Sequence, residues 1–228
     1  MRPVGRSLGA LLADYPHALR LRAAGPGAGR VPRDYPTGDG RPVVLIPGIY
    51  ETWHFLRPMG DALHADGHPV HVLETIGRNG GPIPWVAREA HRLMEQRDLH
   101  EVVIVAHSKG GVVGKQLLVD ELARPEAQRR VARVIAIASP FAGSSMARLV
   151  PVGGLRAFLP GDALLARLAA ERAADARITS IAPRLDLHIP EGSRLDGAEN
   201  IEIDVVGHFR ILRDPRAIDA VRRVAARA

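Results

Sequence analysis

The sequence predicts an α/β fold with a mostly parallel central sheet and helices on both of its faces. Short runs rich in β-branched residues alternate with longer stretches of helical periodicity, which is the pattern of parallel strands joined by crossover helices. The predicted strands are 43–46, 69–73, 101–105, 133–138, 178–182 and 201–206, and the predicted helices between them are 53–66, 84–98, 111–123, 162–176 and 215–227. With 228 residues, of which 46% are hydrophobic, the chain fits one domain of ordinary size with its own core.

Two regions are expected to depart from this alternation. Residues 1–40 are predicted to form an N-terminal helix near 6–22, broken or kinked at Pro16, followed by a Gly/Pro-rich linker. Residues 41–228 are predicted to form the main domain, and a lid-like insertion is expected at about 141–177, before the strand at 178–182. This insertion begins with several glycines and prolines and continues into an apolar helical stretch.

Composition and charge exclude several classes of function. The chain has no cysteine, so a disulfide framework and thiol catalysis are excluded. The net charge of +6 comes almost entirely from scattered arginines, which favours a solvated surface over nucleic-acid binding. No cofactor motif is present, and His64, His68 and His71 flank a turn, so we expect no metal site there.

Neither a membrane-spanning segment nor a signal peptide is predicted from the sequence. No apolar run approaches ~18 residues, so no transmembrane segment is predicted. The apolar run 8–13 is too short for a signal peptide and Asp14 interrupts it, so we expect a cytoplasmic protein. Packing of the N-terminal helix on the main domain is favoured over membrane contact, but peripheral membrane contact and the oligomeric state are left open.

Residues 102–114 have the pattern of a nucleophile elbow, a sharp strand–turn–helix with an exposed serine. A β-branched run ends at Ala106, and Ser108 follows two positions later. The turn crowds the backbone, so the positions two before and two after the serine, Ala106 and Gly110, must be small. The helix N-terminus behind Ser108 offers N–H groups to a developing oxyanion. The alternative is a plain strand–turn–helix, because short motifs recur by chance.

A nucleophilic serine needs a histidine to accept its proton, and His208 is the predicted base. Two histidines, His188 and His208, follow Ser108 in the chain. His208 comes directly after the period-two strand 201–206 and Gly207, which places it on a loop at the carboxyl edge of the sheet. The alternative for His208 is an ordinary surface-loop histidine.

The base needs a carboxylate to orient it, and Asp186 is the predicted acid. It lies on the loop after the strand 178–182, between the serine and the base in chain order. Asp196 and Asp204 are the competing acids. Asp196 is placed in a Leu-Asp-Gly-Ala turn pattern, and Asp204 alternates with apolar strand positions like a solvated residue. Asp186 itself has the alternative of an ordinary turn aspartate.

The loop after the first strand predicts the remaining element, an oxyanion hole. The buried-type strand at 43–46 ends in Pro47 and Gly48, and a glycine there lets the backbone approach a ligand closely. The N–H groups of Ile49 and Lys109 would then form the hole. Without the elbow, a simple strand-ending turn would be the better interpretation of this segment.

These motifs resemble the α/β-hydrolase superfamily, and within it the small bacterial lipase/esterase group. The closing stretch, with an acid, a Ser-Arg-Leu-Asp-Gly-Ala-Glu-Asn segment and a histidine, resembles minimal lipases of the Bacillus type. The resemblance covers roughly residues 41–225. The matching stretches are Leu45-Ile-Pro-Gly-Ile, Val105-Ala-His-Ser-Lys-Gly-Gly, Ala138-Ser-Pro-Phe-Ala-Gly-Ser and Ile178-Thr-Ser-Ile to Val206-Gly-His-Phe.

The resemblance implies a serine hydrolase of carboxylic esters, without a cofactor, acting on a small-molecule or lipid ester. It implies Ser108 as nucleophile, Asp186 as acid and His208 as base. The sequence departs from the family pattern at Pro47, where many relatives have histidine, and at Ala106, which replaces glycine. Lys109 also departs from the methionine or glutamine of lipid-cleaving relatives, and it is expected to place a cation at the pocket mouth.

The insertion is too apolar for a plain surface loop, so it is predicted to line an acyl pocket. Phe158, Leu155 and Leu159 are the expected lining residues, with a preference for medium-chain esters over acetate. The alternative is that these residues only pack the lid onto the sheet. For the whole chain, the alternatives are an acyltransferase or thioesterase with the same triad, or a non-catalytic hydrolase-like binding module.

Overall fold

The computed structural model describes residues 30–149 and 153–228. In this part of the chain, parallel strands alternate with α-helices and short 3₁₀ turns. The strands are β1 (Val43–Ile46), β2 (Val70–Val72), β3 (Val102–His107), β4 (Val131–Ile137), β5 (Ile178–Leu185) and β6 (Glu199–Val206). The α-helices are α1 (Arg57–Ala65), α2 (Ile83–Gln96), α3 (Lys109–Leu122), α4 (Ala163–Ala170) and α5 (Pro215–Ala226).

The described strands form one parallel sheet in the order β2-β1-β3-β4-β5-β6. From β1 the chain runs outward to β2 and then returns to β3 on the other side of β1. The strand order therefore reverses between β1 and β3, and the loops after these two strands separate to opposite faces. A crevice between such loops, at the carboxyl edge of the sheet, is where parallel α/β folds bind their ligands.

Two apolar layers cover the sheet, one on each face, and together they bury the strands. Alternate residues of β1 point into different layers, with Val43 and Leu45 in one and Val44 and Ile46 in the other. The first layer packs against α1 and α5, and the second packs against α2 and α3. The helical residues involved are Met59, Leu63, Ala217, Ala220, Val221 and Val224 in the first layer, and Val86, Ala90, Met94, Val112, Val113 and Leu117 in the second.

The predicted α/β fold class is confirmed, and the differences in the element bounds have local causes. The predicted helix 53–66 is a 3₁₀ turn, Trp53–Phe55, followed by α1, because Pro58 lacks an N–H and fits only the first turn of a helix. The predicted strand 178–182 continues to Leu185 because it pairs with β6, and Pro183 is accommodated where the register of that pairing shifts.

The predicted helix 162–176 is shorter than expected. Asp162 caps α4 by accepting hydrogen bonds from the N–H groups of Leu164 and Leu165, and α4 ends at Ala170. A separate 3₁₀ segment, Arg172–Arg177, follows and leads into β5. The rest of the predicted insertion contains two further 3₁₀ segments, Ser145–Arg148 and Gly153–Phe158.

The predicted N-terminal helix at 6–22 lies outside the described residues, as does the predicted linker up to residue 29. Within the remaining linker, Tyr35 is buried and its carbonyl accepts a hydrogen bond of 2.6 Å from the N–H of Val70 on the edge strand β2. Residues near Tyr35 therefore pack on the sheet. No helix between residues 30 and 149 or between 153 and 228 has the length and apolar character that a membrane crossing needs.

Candidate active site

Ser108 lies at the junction of β3 and α3, in a strained backbone conformation. Its φ of 51° and ψ of −120° are rare for a residue with a side chain. Its N–H donates a 2.8 Å hydrogen bond to the carbonyl oxygen of Ile137 on β4. Ser108 occupies the N-cap of α3 and is partly exposed. The observed turn is therefore the sharp strand–helix connection expected of an elbow.

Close contacts with neighbouring strands and loops require small residues after Ser108. A Cβ atom on Gly110 would lie 2.2 Å from the carbonyl oxygen of Ile46 at the end of β1. A Cβ atom on Gly111 would lie 2.0 Å from the Oγ of Ser139. Ala106 on β3 is fully buried, and the surrounding core accommodates its methyl group.

His208 and Asp186 meet in a buried acid–histidine pair. Nδ1 of His208 lies 2.7 Å from Oδ2 of Asp186. The other oxygen, Oδ1, accepts hydrogen bonds from the N–H groups of His188 at 2.8 Å and Ile189 at 3.2 Å. Burial opposes the charge on Asp186, but the charge and hydrogen bond of His208, together with the His188 N–H, hold the pKa of this carboxyl below its ordinary value. Asp186 is thus positioned as an ionised acceptor.

Neither of the two competing acids, Asp196 and Asp204, contacts His208. Asp204 is exposed on β6, where its carboxylate accepts a 2.5 Å hydrogen bond from Nε of Arg184. Asp196 is exposed in a turn, and its carboxylate lies 3.6 Å from Nε of Arg194. The structure therefore brings Asp186, and neither Asp196 nor Asp204, to His208.

A second histidine borders the pair. The His188 ring stacks on the His208 ring with their centroids 4.8 Å apart, and its Nδ1 lies 3.9 Å from Oδ1 of Asp186. Asp186, His188 and His208 are close enough to suggest a metal site. Both oxygens of Asp186 are already engaged in hydrogen bonds, however, and the 2.7 Å contact with His208 has the length of a charge-assisted hydrogen bond. An acid–base pair fits this geometry better than a metal ligand set.

The loop after β1 is held in a tight, strained turn opposite Ser108. The N–H of Gly48 donates a 2.8 Å hydrogen bond to Oε2 of Glu51, and the N–H of Glu51 returns a 3.2 Å hydrogen bond to the carbonyl of Gly48. Tyr50 within this turn has a φ of 57°. Ile49, the predicted oxyanion donor, lines the same pocket as Ser108.

The side chain of Lys109 does not lie where the sequence suggested. Its Nζ donates hydrogen bonds to the carbonyl oxygens of Asn79, at 2.7 Å, and Gly81, at 2.5 Å, in the loop after β2. The residue is 2% exposed, and burial lowers the pKa of its ammonium group to about 8. The expectation of a cation at the pocket mouth is therefore wrong. The backbone N–H of Lys109 remains in the first turn of α3, behind Ser108.

A mostly apolar pocket of about 280 Å³ opens above Ser108. The predicted insertion contributes much of its wall, including the two predicted acyl-pocket residues Leu155 and Phe158. Leu159 does not line this pocket and packs against the second core layer instead, so the expectation fails for that residue. The lining residues are Ile49, Tyr50, Glu51, Ser108, Pro140, Ser144, Met146, Ala147, Leu155, Phe158, His188, Ile189, His208 and Phe209.

Sequence reasoning missed a buried pair that borders this pocket, Glu51 and His107. Nδ1 of His107 lies 2.9 Å from Oε2 of Glu51, and its Nε2 lies 3.1 Å from the carbonyl oxygen of His208. His107 directly precedes Ser108 within the elbow motif, and Glu51 lies two residues beyond the Leu45-Ile-Pro-Gly-Ile stretch. A histidine between a buried strand and its serine was the available signal.

Comparison with known proteins supports the fold. The model of the α/β-hydrolase fold family matches residues 41–183 of the chain. A search of curated proteins gave no match. Two solved structures illustrate the likeness. A carboxylesterase structure from the thaumarchaeon Nitrososphaera gargenis has a TM-score of 0.58 and 13% identity, covering 83% of this chain and 93% of its own. The mature Bacillus licheniformis lipase BlEst2 has a TM-score of 0.55 and 16% identity, covering 86% of this chain and 96% of its own.

A third similar structure has a different substrate. It is the 2-hydroxy-6-oxo-6-phenylhexa-2,4-dienoate hydrolase of Rhodococcus, with a TM-score of 0.55 and 17% identity, covering 84% of this chain and 92% of its own. At identities this low, the three likenesses establish the fold and not the substrate. The match to the family model, the parallel sheet and the elbow agree, and this chain belongs to the α/β-hydrolase fold family.

Proposed function

We propose that the protein is a serine hydrolase that cleaves carboxylic esters through an acyl-enzyme. One observation carries the proposal: the buried Asp186–His208 pair, joined by a 2.7 Å hydrogen bond, opens into the same apolar pocket as the strained Ser108. A structural histidine would not need an ionised partner at the rim of a cavity. A nucleophile, a base and an orienting acid need this arrangement.

The chemistry follows from the positions of the three side chains. The hydroxyl oxygen of Ser108 attacks the ester carbonyl, and His208 takes the hydroxyl proton on Nε2, because its Nδ1 is engaged by Asp186. The carboxylate of Asp186 fixes the ring orientation and stabilises the imidazolium that forms. His208 then protonates the leaving alcohol, and water repeats the sequence on the acyl-enzyme.

The developing negative charge needs donors on the opposite side of the carbonyl. The N–H of Lys109 at the start of α3 is one donor, where the helix dipole adds to the field. The N–H of Ile49 is the second donor, since Ile49 lines the pocket on the β1 side. The strained turn at Tyr50 supports this assignment, because strain persists where the surroundings fix the backbone.

The pocket favours an ester with a medium-length acyl chain. Its volume of about 280 Å³ is near the lower end of the range for ligand sites, and its walls include Leu155, Phe158 and Met146. Each buried methylene group contributes about 0.8 kcal/mol to binding. An acyl chain of several carbons therefore gains more from this pocket than acetate does.

Three other functions are compatible with the same fold. An acyltransferase or a thioesterase would use the same three residues and differ only in acceptor or leaving group. A non-catalytic binding module would have no need for an Asp186–His208 hydrogen bond beside Ser108, and this geometry argues against it.

A panel of p-nitrophenyl esters from acetate to palmitate, assayed with wild type and Ser108→Ala, tests the proposal. We expect kcat/KM to rise from acetate to about octanoate and the variant to be inactive. The same panel with thioesters, and with added alcohols as acceptors, distinguishes the alternatives. Equal hydrolysis by wild type and variant would refute the proposal.

A further inference from the structure

His107 and Glu51 connect three loops around the pocket through hydrogen bonds. Nδ1 of His107 faces both carboxylate oxygens of Glu51, at 3.0 Å and 2.9 Å. Its Nε2 faces the backbone carbonyl of His208 at 3.1 Å. Glu51 Oε2 also accepts the N–H of Gly48 at 2.8 Å. The loop after β1, the elbow and the loop after β6 are thereby joined through two side chains.

Hydrogen-bond chemistry constrains the protons of this pair. A carbonyl oxygen can only accept, so Nε2 of His107 must carry a hydrogen. Nδ1 of His107 and the carboxyl group of Glu51 share a further hydrogen bond, while Oε2 of Glu51 also accepts the N–H of Gly48. His107 is 0% and Glu51 is 2% exposed, so each side chain depends on the other for its hydrogen bond.

Any side chain at position 48 would have to displace the carboxylate of Glu51. A Cβ atom on Gly48 would lie 2.5 Å from Oε1 of Glu51. The carboxylate therefore presses against the backbone immediately before Ile49, whose N–H is the proposed oxyanion donor. Displacement of the carboxylate would free this turn to rotate the Ile49 N–H away from the pocket.

We propose that Glu51 and His107 form a positioning pair. The pair holds the Ile49 N–H and the backbone of His208 at fixed positions relative to Ser108. This inference rests on the proposed function, since it assigns the pair a role in that same reaction. Neither residue of the pair transfers a proton to substrate. Their role is to fix, at the same time, the oxyanion donor and the base, which come from opposite ends of the sequence.

Matched variants of Glu51 test the pair. Glu51→Gln keeps the hydrogen bonds, because its amide oxygen can accept from Gly48 while its amide nitrogen donates to a neutral His107 Nδ1. Glu51→Leu removes them at similar volume. We expect kcat per active site to fall at least tenfold in Glu51→Leu with KM within about twofold, and to stay within about threefold of wild type in Glu51→Gln. Active sites are counted by fluorophosphonate titration, so unfolded protein does not contribute.

Glu89→Leu is the control for loss of a buried carboxylate, because Glu89 lies on α2 and pairs only with Arg92 among the ion pairs of the described residues. Its kcat should not change. Nitrogen-15 NMR of the His107 ring gives a readout that needs no turnover: Nε2 should carry a hydrogen, bonded to the His208 carbonyl, in wild type and in Glu51→Gln, and this hydrogen bond should be weakened in Glu51→Leu. A Glu51→Leu variant with wild-type kcat per titrated site, or a wild type in which Nε2 of His107 carries no hydrogen, would overturn the inference. A wild type without Ser108-dependent hydrolysis would instead refute the proposed function.

Discussion

Gly110 and Ile46 lie so close that a single methyl group cannot be inserted between them. A Cβ atom on Gly110 would be 2.2 Å from the carbonyl oxygen of Ile46. This contact packs the first turn of α3 directly against the end of β1. The two proposed oxyanion donors, on Lys109 and Ile49, therefore lie at the same crevice. The elbow therefore depends on the absence of a side chain as much as on the serine.

Gly110→Ala should destabilise the protein because the clash involves backbone atoms, which cannot rotate away. We expect a loss of about 1–3 kcal/mol in the free energy of unfolding and a large loss of activity. Gly114→Ala on the same helix is the matched control, since its Cβ would meet a side-chain atom, Cγ1 of Val134, at 2.6 Å. Urea unfolding of both variants checks this expectation. A Gly110→Ala variant as stable as Gly114→Ala would contradict it.

Asp186→Asn should lower kcat about 10³- to 10⁴-fold, because an amide cannot stabilise the imidazolium and favours the wrong ring tautomer. Asp204→Asn should change kcat by no more than about twofold, since Asp204 is exposed on β6 and pairs with Arg184. Steady-state kinetics with one ester compares the two variants. If Asp204→Asn were the more damaging change, the acid would have been misassigned.

Lys109 should make stability depend on pH in a defined window. Burial lowers its pKa from 10.5 to about 8 in the folded protein, so between these two values the unfolded chain binds a proton that the folded chain does not. The contribution of Lys109 to stability therefore rises with pH across this window, by up to about 3 kcal/mol in total.

Chemical unfolding of wild type and Lys109→Met at pH 7.5 and pH 9.5 measures this contribution. The free energy of unfolding of wild type minus that of the variant should be larger at pH 9.5 than at pH 7.5. Titration of all other groups cancels in that difference. A difference that does not change with pH would show that the ammonium group is not buried as described.

Leu155→Trp should shift the preference of the enzyme toward short esters, because the larger ring fills space that an acyl chain would occupy. We expect the ratio of kcat/KM for octanoate to that for acetate to fall about tenfold, the equivalent of about two methylene groups. Leu149→Trp is the control, since Leu149 is 72% exposed and does not line the pocket. Equal ratios in the two variants would place the acyl chain elsewhere.

The sequence predicted the parts of the site that depend on local backbone chemistry. The small residues at Ala106 and Gly110 predicted the elbow, and the position of His208 after a strand and a glycine predicted its loop. The fold class followed from the alternation of strands and helices. These features are local, so a short window of residues contains the necessary information.

Features that depend on tertiary contacts were not predictable in this way. The Lys109 side chain has two acceptors in the loop after β2, at Asn79 and Gly81, and no pattern near position 109 indicates them. The Glu51–His107 contact joins residues 56 positions apart in sequence. Leu159 has the same apolar character as Leu155, and only the course of the 3₁₀ segment Gly153–Phe158 decides which residue faces the pocket.

Covalent labelling tests whether Ser108 is a nucleophile that His208 activates. A fluorophosphonate probe is incubated with wild type, Ser108→Ala and His208→Ala, and the adduct is located by peptide mass spectrometry. We predict one adduct per chain, on Ser108, with labelling absent in Ser108→Ala and slowed at least a hundredfold in His208→Ala. No adduct on Ser108, or equally fast labelling in His208→Ala, would show that His208 does not activate Ser108 as a nucleophile.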